Sequence, residues 1–246
     1  MKSIAVYSIK GGVGKTAAAV NLAYQFSHDR YRTVLIDLDP QGASGYYFKV
    51  RPKRNFKTSV LLNKKDSLVS YIRESDYPNL DILPSKMGYR HLDTDLDMMK
   101  NNRDILRKNL KEFDEEYDLA VLDCPPNITL LSENIFNAAD TLLIPIIPTP
   151  LSERTFEQIL DFFKKRDYHF NKIQAFFSMV EKRIKVHRET MEKLRDSYNS
   201  ILETTVPKLS DIEKMGVYRK PVQCFAGSRP GSLAFKDLAA EILRKL

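Results

Sequence analysis

The residues best suited to chemistry come early in the chain. Ser8-Ile9-Lys10-Gly11-Gly12-Val13-Gly14-Lys15-Thr16 brings glycines, two lysines and two hydroxyls into one short stretch. The apolar run Ile4-Ala5-Val6-Tyr7 precedes it and Ala17-Ala18-Ala19-Val20-Asn21-Leu22-Ala23-Tyr24 follows it. The pattern therefore reads as strand, glycine-rich turn, helix N-terminus. Glycines let successive backbone N–H groups curl around one anion. The helix start adds positive potential at the same place. The chemistry this predicts is the binding of a phosphate chain by the backbone from Lys10 through Gly11, Gly12, Val13 and Gly14 to Ala17. Lys15 would reach the outer phosphates, and the Thr16 hydroxyl would be offered to Mg²⁺.

Acidic residues close two other apolar runs. One reads Leu35-Ile36-Asp37-Leu38-Asp39-Pro40-Gln41-Gly42 and the other Leu122-Asp123-Cys124-Pro125-Pro126. One helix and one strand separate the first from the glycine-rich turn, so a parallel sheet would bring Asp37 and Asp39 beside that turn. An Asp at the tip of a buried strand is the arrangement that holds Mg²⁺ or its water shell in phosphoryl-transfer enzymes. Cys124 reads as a small buried side chain. Cys124 and Cys224 are far apart in sequence, which points to free thiols and not to a disulfide framework or a C-x-x-C metal site.

These residues need a scaffold, and the hydrophobic pattern supplies one. Short apolar runs recur at 4–7, 33–36, 80–83, 119–122, 141–144 and 173–177, several of them continuous, as in strands buried on both faces. Helical periodicity falls at about 15–28, 97–114, 152–166, 186–198 and 231–246. The last helix carries Phe235, Leu238, Ala239, Ile242, Leu243 and Leu246 on one stripe, which docking on the sheet would bury. Strands alternating with helices predict an α/β fold with a mostly parallel central sheet flanked by helices. Ligands in such sheets sit at the carboxyl ends of the strands.

Composition sets the outer limits. The 246 residues are 43% hydrophobic and 29% charged, which is ordinary for a globular chain and argues against disorder. No apolar run approaches the roughly 20 residues of a membrane span, and the first residues lack the apolar core of a signal peptide. The net charge of +7 is unevenly placed: residues 160–246 hold 18 Lys/Arg against 11 Asp/Glu, whereas residues 1–159 hold 21 of each. A basic region of this kind suits a polyanionic partner. A second basic stretch, 49–65, carries Lys49, Arg51, Lys53, Arg54 and Lys57, with Tyr46, Tyr47, Phe48 and Phe56 interleaved or adjacent.

The strict phosphate-loop pattern G-x-x-x-x-G-K-[ST] fails here, because its first position falls on Ile9, and Lys10 opens the loop instead. The form K-G-G-x-G-K-[ST] resembles the deviant P-loop of the ParA/MinD family of ATPases. Asp37-Leu38-Asp39-Pro40-Gln41-Gly42 is similar to the second signature of the ParA branch, and Asp123-Cys124-Pro125-Pro126 to its D-x-P-P. Weaker likenesses continue through 143–150, 177–180 and 204–207. Arg219-Lys220-Pro221-Val222 resembles the family's G-K-P-V, with Arg219 in place of Gly.

The resemblance implies one P-loop NTPase domain over 1–246, without an N-terminal helix-turn-helix extension. It implies ATP and Mg²⁺ as cofactors, with Thr16, Asp37 and Asp123 around the metal and Met179 and Pro207 against the base. Asp39 would orient the attacking water, and Lys15 would neutralise phosphate charge. Lys10 would cross a homodimer interface to the partner's sandwiched ATP. DNA without sequence preference would meet Lys182, Arg183, Lys185, Arg188, Arg219, Lys220 and Arg229. A separately encoded ParB-like or cargo-adaptor protein would stimulate slow hydrolysis, with the chain cytoplasmic and nucleoid-associated in a bacterium. The alternatives are a MinD-like membrane-associated switch, an iron–sulfur reductase or carrier of the same superfamily, and an ATP-dependent synthetic enzyme. The departures are Ala17, where a second Thr is common, and the run Asp211-Ile212-Glu213-Lys214-Met215-Gly216.

Overall fold

The structure is a computed structural model and describes residues 1–62 and 67–246. Its centre is a sheet of eight strands: β1 (Lys2–Val6), β2 (Thr33–Asp37), β3 (Arg73–Glu74), β4 (Leu80–Leu83), β5 (Leu119–Asp123), β6 (Thr141–Ile146), β7 (Ile173–Val180) and β8 (Ile201–Pro207). Their spatial order is β3-β4-β2-β5-β1-β6-β7-β8, and every pairing is parallel except β3 with β4. The helices are α1 (Lys15–His28), α2 (Ala43–Tyr47), α3 (Leu92–Asp97), α4 (Ile105–Leu110), α5 (Leu130–Ala138), α6 (Pro150–Lys165), α7 (Lys185–Ser197), α8 (Ser210–Glu213), α9 (Met215–Tyr218), α10 (Gln223–Ala226) and α11 (Pro230–Leu243). Both sheet faces are covered. Ile4, Val6, Leu35, Val121 and Leu143 pack with Leu22 and Phe26 of α1 and Phe235 and Leu238 of α11. Ala5, Val34, Ile36 and Leu122 pack on the other face with Leu96, Leu106, Ile135, Phe136, Phe156, Phe163 and Leu194. That double coverage explains why the strands are continuously apolar: each large side chain buried this way stabilises the fold by about 1.5–3 kcal/mol.

The structure departs from the sequence pattern in three places. The helix predicted over 97–114 is realised only as α4 and a short 3₁₀ turn at Lys111–Phe113; residues 98–104 are not helical, with Asn101 at φ +54°, and α3 lies almost wholly before the predicted range. The start of α4 is set from outside: Asn134 Oδ1 on α5 accepts the amides of Ile105 and Leu106 at 3.0 and 3.2 Å. That cap is tertiary, so no local signal announces it. Helix α5 itself is absent from the periodicity; its N-terminal capping box uses Thr129 and Ser132 where Glu or Gln is usual at the second position. Strand β8 has no apolar run to announce it, and only its end, 204–207, carries a family likeness. It is an edge strand with an irregular register to β7, and the amides of Glu203 and Thr204 in the irregular stretch are taken by the Glu241 carboxylate at 2.8 and 2.9 Å. This blunts an exposed sheet edge. The apolar stripe of α11 is buried as predicted, with Phe235, Leu238, Ala239 and Ile242 in the core.

Candidate functional site

The glycine-rich turn lies at the carboxyl end of β1, between that strand and the first turn of α1. Gly12 and Gly14 are left-handed, at φ +71° and +91°. Gly14 has a second reason to be glycine, since a Cβ there would stand 2.9 Å from Ser178 Oγ on β7. At Gly11 and Gly12 a Cβ would meet nothing within 4 Å, so the loop's outer side is an open cradle. The Lys15 ammonium donates to the Lys10 carbonyl at 3.1 Å, and the residue is only 7% exposed. Burial pushes its pKa down, while Asp123, Cys124 and Asp39 pull it back up. An ammonium so poorly hydrated gains strongly from an anion brought into the cradle. Lys10 turns away, its Nζ donating to Ser152 Oγ on α6 at 3.4 Å.

Strand register assembles the acids. Asp37 at the end of β2 stands opposite Asp123 at the end of β5, and Asp123 stands opposite Val6 at the end of β1. Asp37 accepts the amides of Asp39 and Ser44 at 3.1 Å and of Gly45 at 3.4 Å. Asp123 Oδ2 accepts the Ser44 hydroxyl at 2.8 Å, and the Thr16 side chain lies close enough to favour the charged carboxylate. Asp123 Oδ1 is buried with no partner. Both carboxyls are fully buried. Desolvation, then the neighbouring Asp123 charge, pushes Asp37 well up; desolvation, with a contribution from Asp39, raises Asp123 to about 6.

An orphaned carboxylate oxygen beside a Thr hydroxyl, in a pocket short of positive charge, fits a divalent cation. No cluster of three His, Cys, Asp or Glu suited to a metal exists among the described residues. The donor set is therefore sparse, as suits Mg²⁺, which keeps waters and binds one or two carboxylates plus substrate phosphates. A trade-off follows. Asp123→Asn should raise the melting temperature of the nucleotide-free chain by roughly 2–4 °C, since it removes a buried charge worth about 1 kcal/mol or more. The same variant should lose the extra stabilisation that Mg²⁺ adds to bound nucleotide. Thermal melts with and without Mg-nucleotide check both halves, and an unchanged Mg²⁺ effect would remove Asp123 from the site.

Asp39 adjoins this buried pair but differs from it in exposure. It is half-buried; its Oδ1 accepts the Gln41 amide at 2.9 Å, and its main-chain carbonyl accepts the Ser85 hydroxyl. Cys124 is fully buried, and its thiol is pushed well up by that burial. Met179 and Pro207, far apart in sequence, meet with Gly14 and Ala17 along one apolar slot beside the loop. Met179 is itself left-handed, at φ +53°. Ile212 and Glu213 close that slot. Their local signal in the sequence is only their place in the run that departs from the family pattern.

The basic candidates are spread over one end of the molecule. Lys182 and Arg183 line an open groove of about 970 Å³ along β8 and α11. Arg188 donates to the carbonyls of Lys182 and Arg183, and Lys185 pairs with Glu189 at 3.3 Å. Arg229 pairs with Asp211 at 3.1 Å. Arg219 lies over the Tyr46 ring, 4.4 Å from its centroid, and Lys220 is exposed. In the 49–57 stretch Phe48 and Phe56 are buried, so they are core residues and offer no stacking face; Lys64 and Lys65 lie outside the described residues.

Comparison with known proteins agrees with this geometry. The family model described as an AAA domain matches residues 1–176. The sporulation initiation inhibitor protein Soj of Bacillus subtilis is 25% identical over 248 residues, covering 98% of each chain. The cell division protein PomZ of Myxococcus xanthus is 29% identical, over 97% of this chain and 77% of its own length. A putative plasmid partition protein of Borrelia burgdorferi B31, solved with AMPPNP, superposes with a TM-score of 0.84 at 22% identity, over 100% of this chain and 99% of its own. Cobyrinic acid a,c-diamide synthase of Mycobacterium smegmatis, solved with ADP and magnesium, gives 0.82 at 22% identity, over 99% and 94%. These two likenesses show a shared fold, and the bound nucleotides belong to those proteins. A glycine loop bracketed by lysines at the tip of β1, flanked in register by acids from β2 and β5, is here carried by a sequence related to Soj along nearly its whole length: the chain belongs to the ParA/MinD family of P-loop ATPases, in its ParA/Soj-like branch.

Proposed function

We propose that this chain is a partitioning ATPase that cycles between an ATP-bound, DNA-retaining homodimer and an ADP-bound form. The observation that carries the reading is the convergence of the Gly11–Gly14 cradle, the desolvated Lys15, the buried Asp37–Asp123 pair and the accessible Asp39 at neighbouring strand ends. The loop amides and the start of α1 hold the phosphates, Lys15 neutralises their charge, and Met179 and Pro207 flank the base. Thr16 and Asp123 would hold Mg²⁺, with Asp37 acting through water. When bound, the ion screens the β- and γ-phosphates. Asp39 orients the attacking water. Phosphoryl transfer to water depends mainly on such positioning and charge placement, so a slow basal rate with external stimulation is consistent with the site.

Lys10 is the residue that makes two copies necessary. In this reading it leaves Ser152 and reaches the ATP of a second chain, as a trans-acting cation. The partner surface for DNA lies in the basic last third, where Lys185 and Arg229 are ion-paired, Arg188 and Arg219 are engaged with main-chain carbonyls, and Lys182, Arg183 and Lys220 are the remaining candidates. The burial of the α11 stripe favours DNA over a membrane as the matrix, because the stripe is used by the core. No helix among the described residues is long and apolar enough to cross a membrane. A separately encoded adaptor would couple this switch to its cargo, and association with the nucleoid would follow from the DNA-bound form.

The test is retention. With ATP the chain should elute as a dimer and hold duplex DNA of unrelated sequences alike. Retention should vanish with ADP and fall steeply between about 50 and 200 mM salt, as counterion release requires. Binding to anionic liposomes without binding to DNA would replace this reading with the membrane one.

A further inference from the structure

The segment around Arg219 is built as a brace, and its parts can be followed atom by atom. On one side it is tied to the phosphate-loop helix. Asn21 of α1, fully buried, donates to Met215 Sδ at 3.1 Å and accepts the Val222 amide at 2.8 Å. On the other side it is tied to α2. Arg219 Nε donates to the Tyr46 carbonyl at 3.0 Å while its guanidinium lies over the Tyr46 ring, and the Tyr46 hydroxyl donates to the Gly216 carbonyl at 3.1 Å. Arg219 does this from a left-handed backbone, φ +51° and ψ +54°, a conformation costly for any residue with a side chain. Such strain persists only where surrounding contacts over-determine it.

What the brace holds is the chain that carries the site acids. From Tyr46 the hydrogen bonds run back in two steps: its amide donates to Gly42, and the Gly42 amide donates to Asp39. The first turn of α2 supplies the Ser44 and Gly45 amides to Asp37 and the Ser44 hydroxyl to Asp123. Asn21 and Lys15 share one helix. The bridge α1–Asn21–(215–222)–Arg219–Tyr46–α2 therefore fixes the Asp39 loop against the phosphate cradle through contacts within the chain.

We propose that Arg219, acting through Tyr46, is a positioning residue for hydrolysis that sets Asp39 relative to the phosphate loop. This rests on the nucleotide reading above and deepens it. It assigns the Arg219 charge to an intramolecular contact where the resemblance implied DNA. Planar stacking with simultaneous donation to a carbonyl is a task for guanidinium that an ammonium does not reproduce.

The experiment measures steady-state ATP turnover, ATP-analogue affinity and DNA retention on the full chain, for wild type, Arg219→Gly, Arg219→Lys, Tyr46→Ala and the double variant Tyr46→Ala/Arg219→Gly. Arg219→Gly suits a left-handed site, so it should fold. The expected result is a drop in kcat of about 5–20-fold in Arg219→Gly and in Tyr46→Ala, with KM and analogue affinity changed less than about 2-fold. The double variant should be no worse than the poorer single one, as for residues acting as one unit. Arg219→Lys should share the kcat loss while retaining DNA as wild type does. Wild-type turnover in Arg219→Lys, or losses that multiply in the double variant, would overturn the proposal. Hydrogen exchange gives a readout that needs no turnover: the peptide covering 39–50 should lose protection in Arg219→Gly, and unchanged protection would also overturn it. A wild-type chain that binds no ATP and hydrolyses none would sink the nucleotide reading itself, and the positioning role with it.

Discussion

Replacing Lys15 by Ala should weaken Mg-ATP binding by roughly 100-fold or more, without unfolding the chain. Removing one partner of a desolvated charge pair typically costs about 2–5 kcal/mol, which is about 30- to several-thousand-fold in affinity. Lys15 is at the favourable end of that range because it is prepared for the anion: it is buried, its charged form is disfavoured by desolvation, and its ammonium has a carbonyl as its hydrogen-bond partner. The same facts make the nucleotide-free variant stable, since truncation removes an unfavourably placed charge. Titration with a fluorescent ATP analogue, alongside a thermal melt, separates binding from folding. Unchanged affinity in a folded variant would end the phosphate-loop reading. Lys10→Ala is the informative contrast. Its ammonium lies at Ser152, outside the loop's own cradle, so single-chain binding should survive while ATP-dependent dimerisation is lost.

Asp39→Ala should do the opposite. Affinity for ATP should hold within about 2-fold, and turnover should fall by roughly 100- to 1,000-fold, the scale of a lost water-orienting or general-base group. The distinction rests on burial. Asp37 and Asp123 are sealed at the strand ends and joined by the hydrogen bonds of Ser44, so changing either disturbs the metal side of the site. Asp39 is half-buried, its main chain is anchored by Ser85, and its side chain holds only the Gln41 amide. The variant should accumulate as an ATP-bound dimer, visible by size-exclusion chromatography with ATP. Wild-type turnover would take Asp39 out of the mechanism.

Legibility in the sequence followed the range of the interactions. Helix α1 was readable to the residue, because a glycine turn followed by alanines is a local signal that packing does not override. The strands β1, β2, β4, β5, β6 and β7 were readable because burial on both faces leaves unbroken apolar runs. The helical pattern over 97–114 overshoots α4 at its start and leaves α3 without a signal. The late start of α4 depends on Asn134, 29 residues from Ile105, taking amides that a longer helix would have used. Strand β8 was hidden by Glu203, Thr204 and Thr205, polar residues tolerated at a sheet edge whose amides Glu241 then satisfies.

The site divides along the same line. Lys10, Lys15, Thr16, Asp37, Asp39 and Asp123 were legible by residue type and by position at the ends of apolar runs, since phosphate cradles and strand-tip acids are built from consecutive residues. Their arrangement was not. That Asp37 and Asp123 face one another is decided by strand register. That Ser44 joins them, Ser85 anchors Asp39 and Asn21 braces the far segment is decided by contacts between residues 46 to 201 positions apart. Arg219 shows the difference most sharply. By itself the sequence determined a positive charge in a basic third of the chain, and charge alone suggests a polyanion. Only the tertiary structure decided what that charge meets, because stacking on Tyr46 requires two segments, 173 residues apart, to be brought together by a sheet that neither of them belongs to.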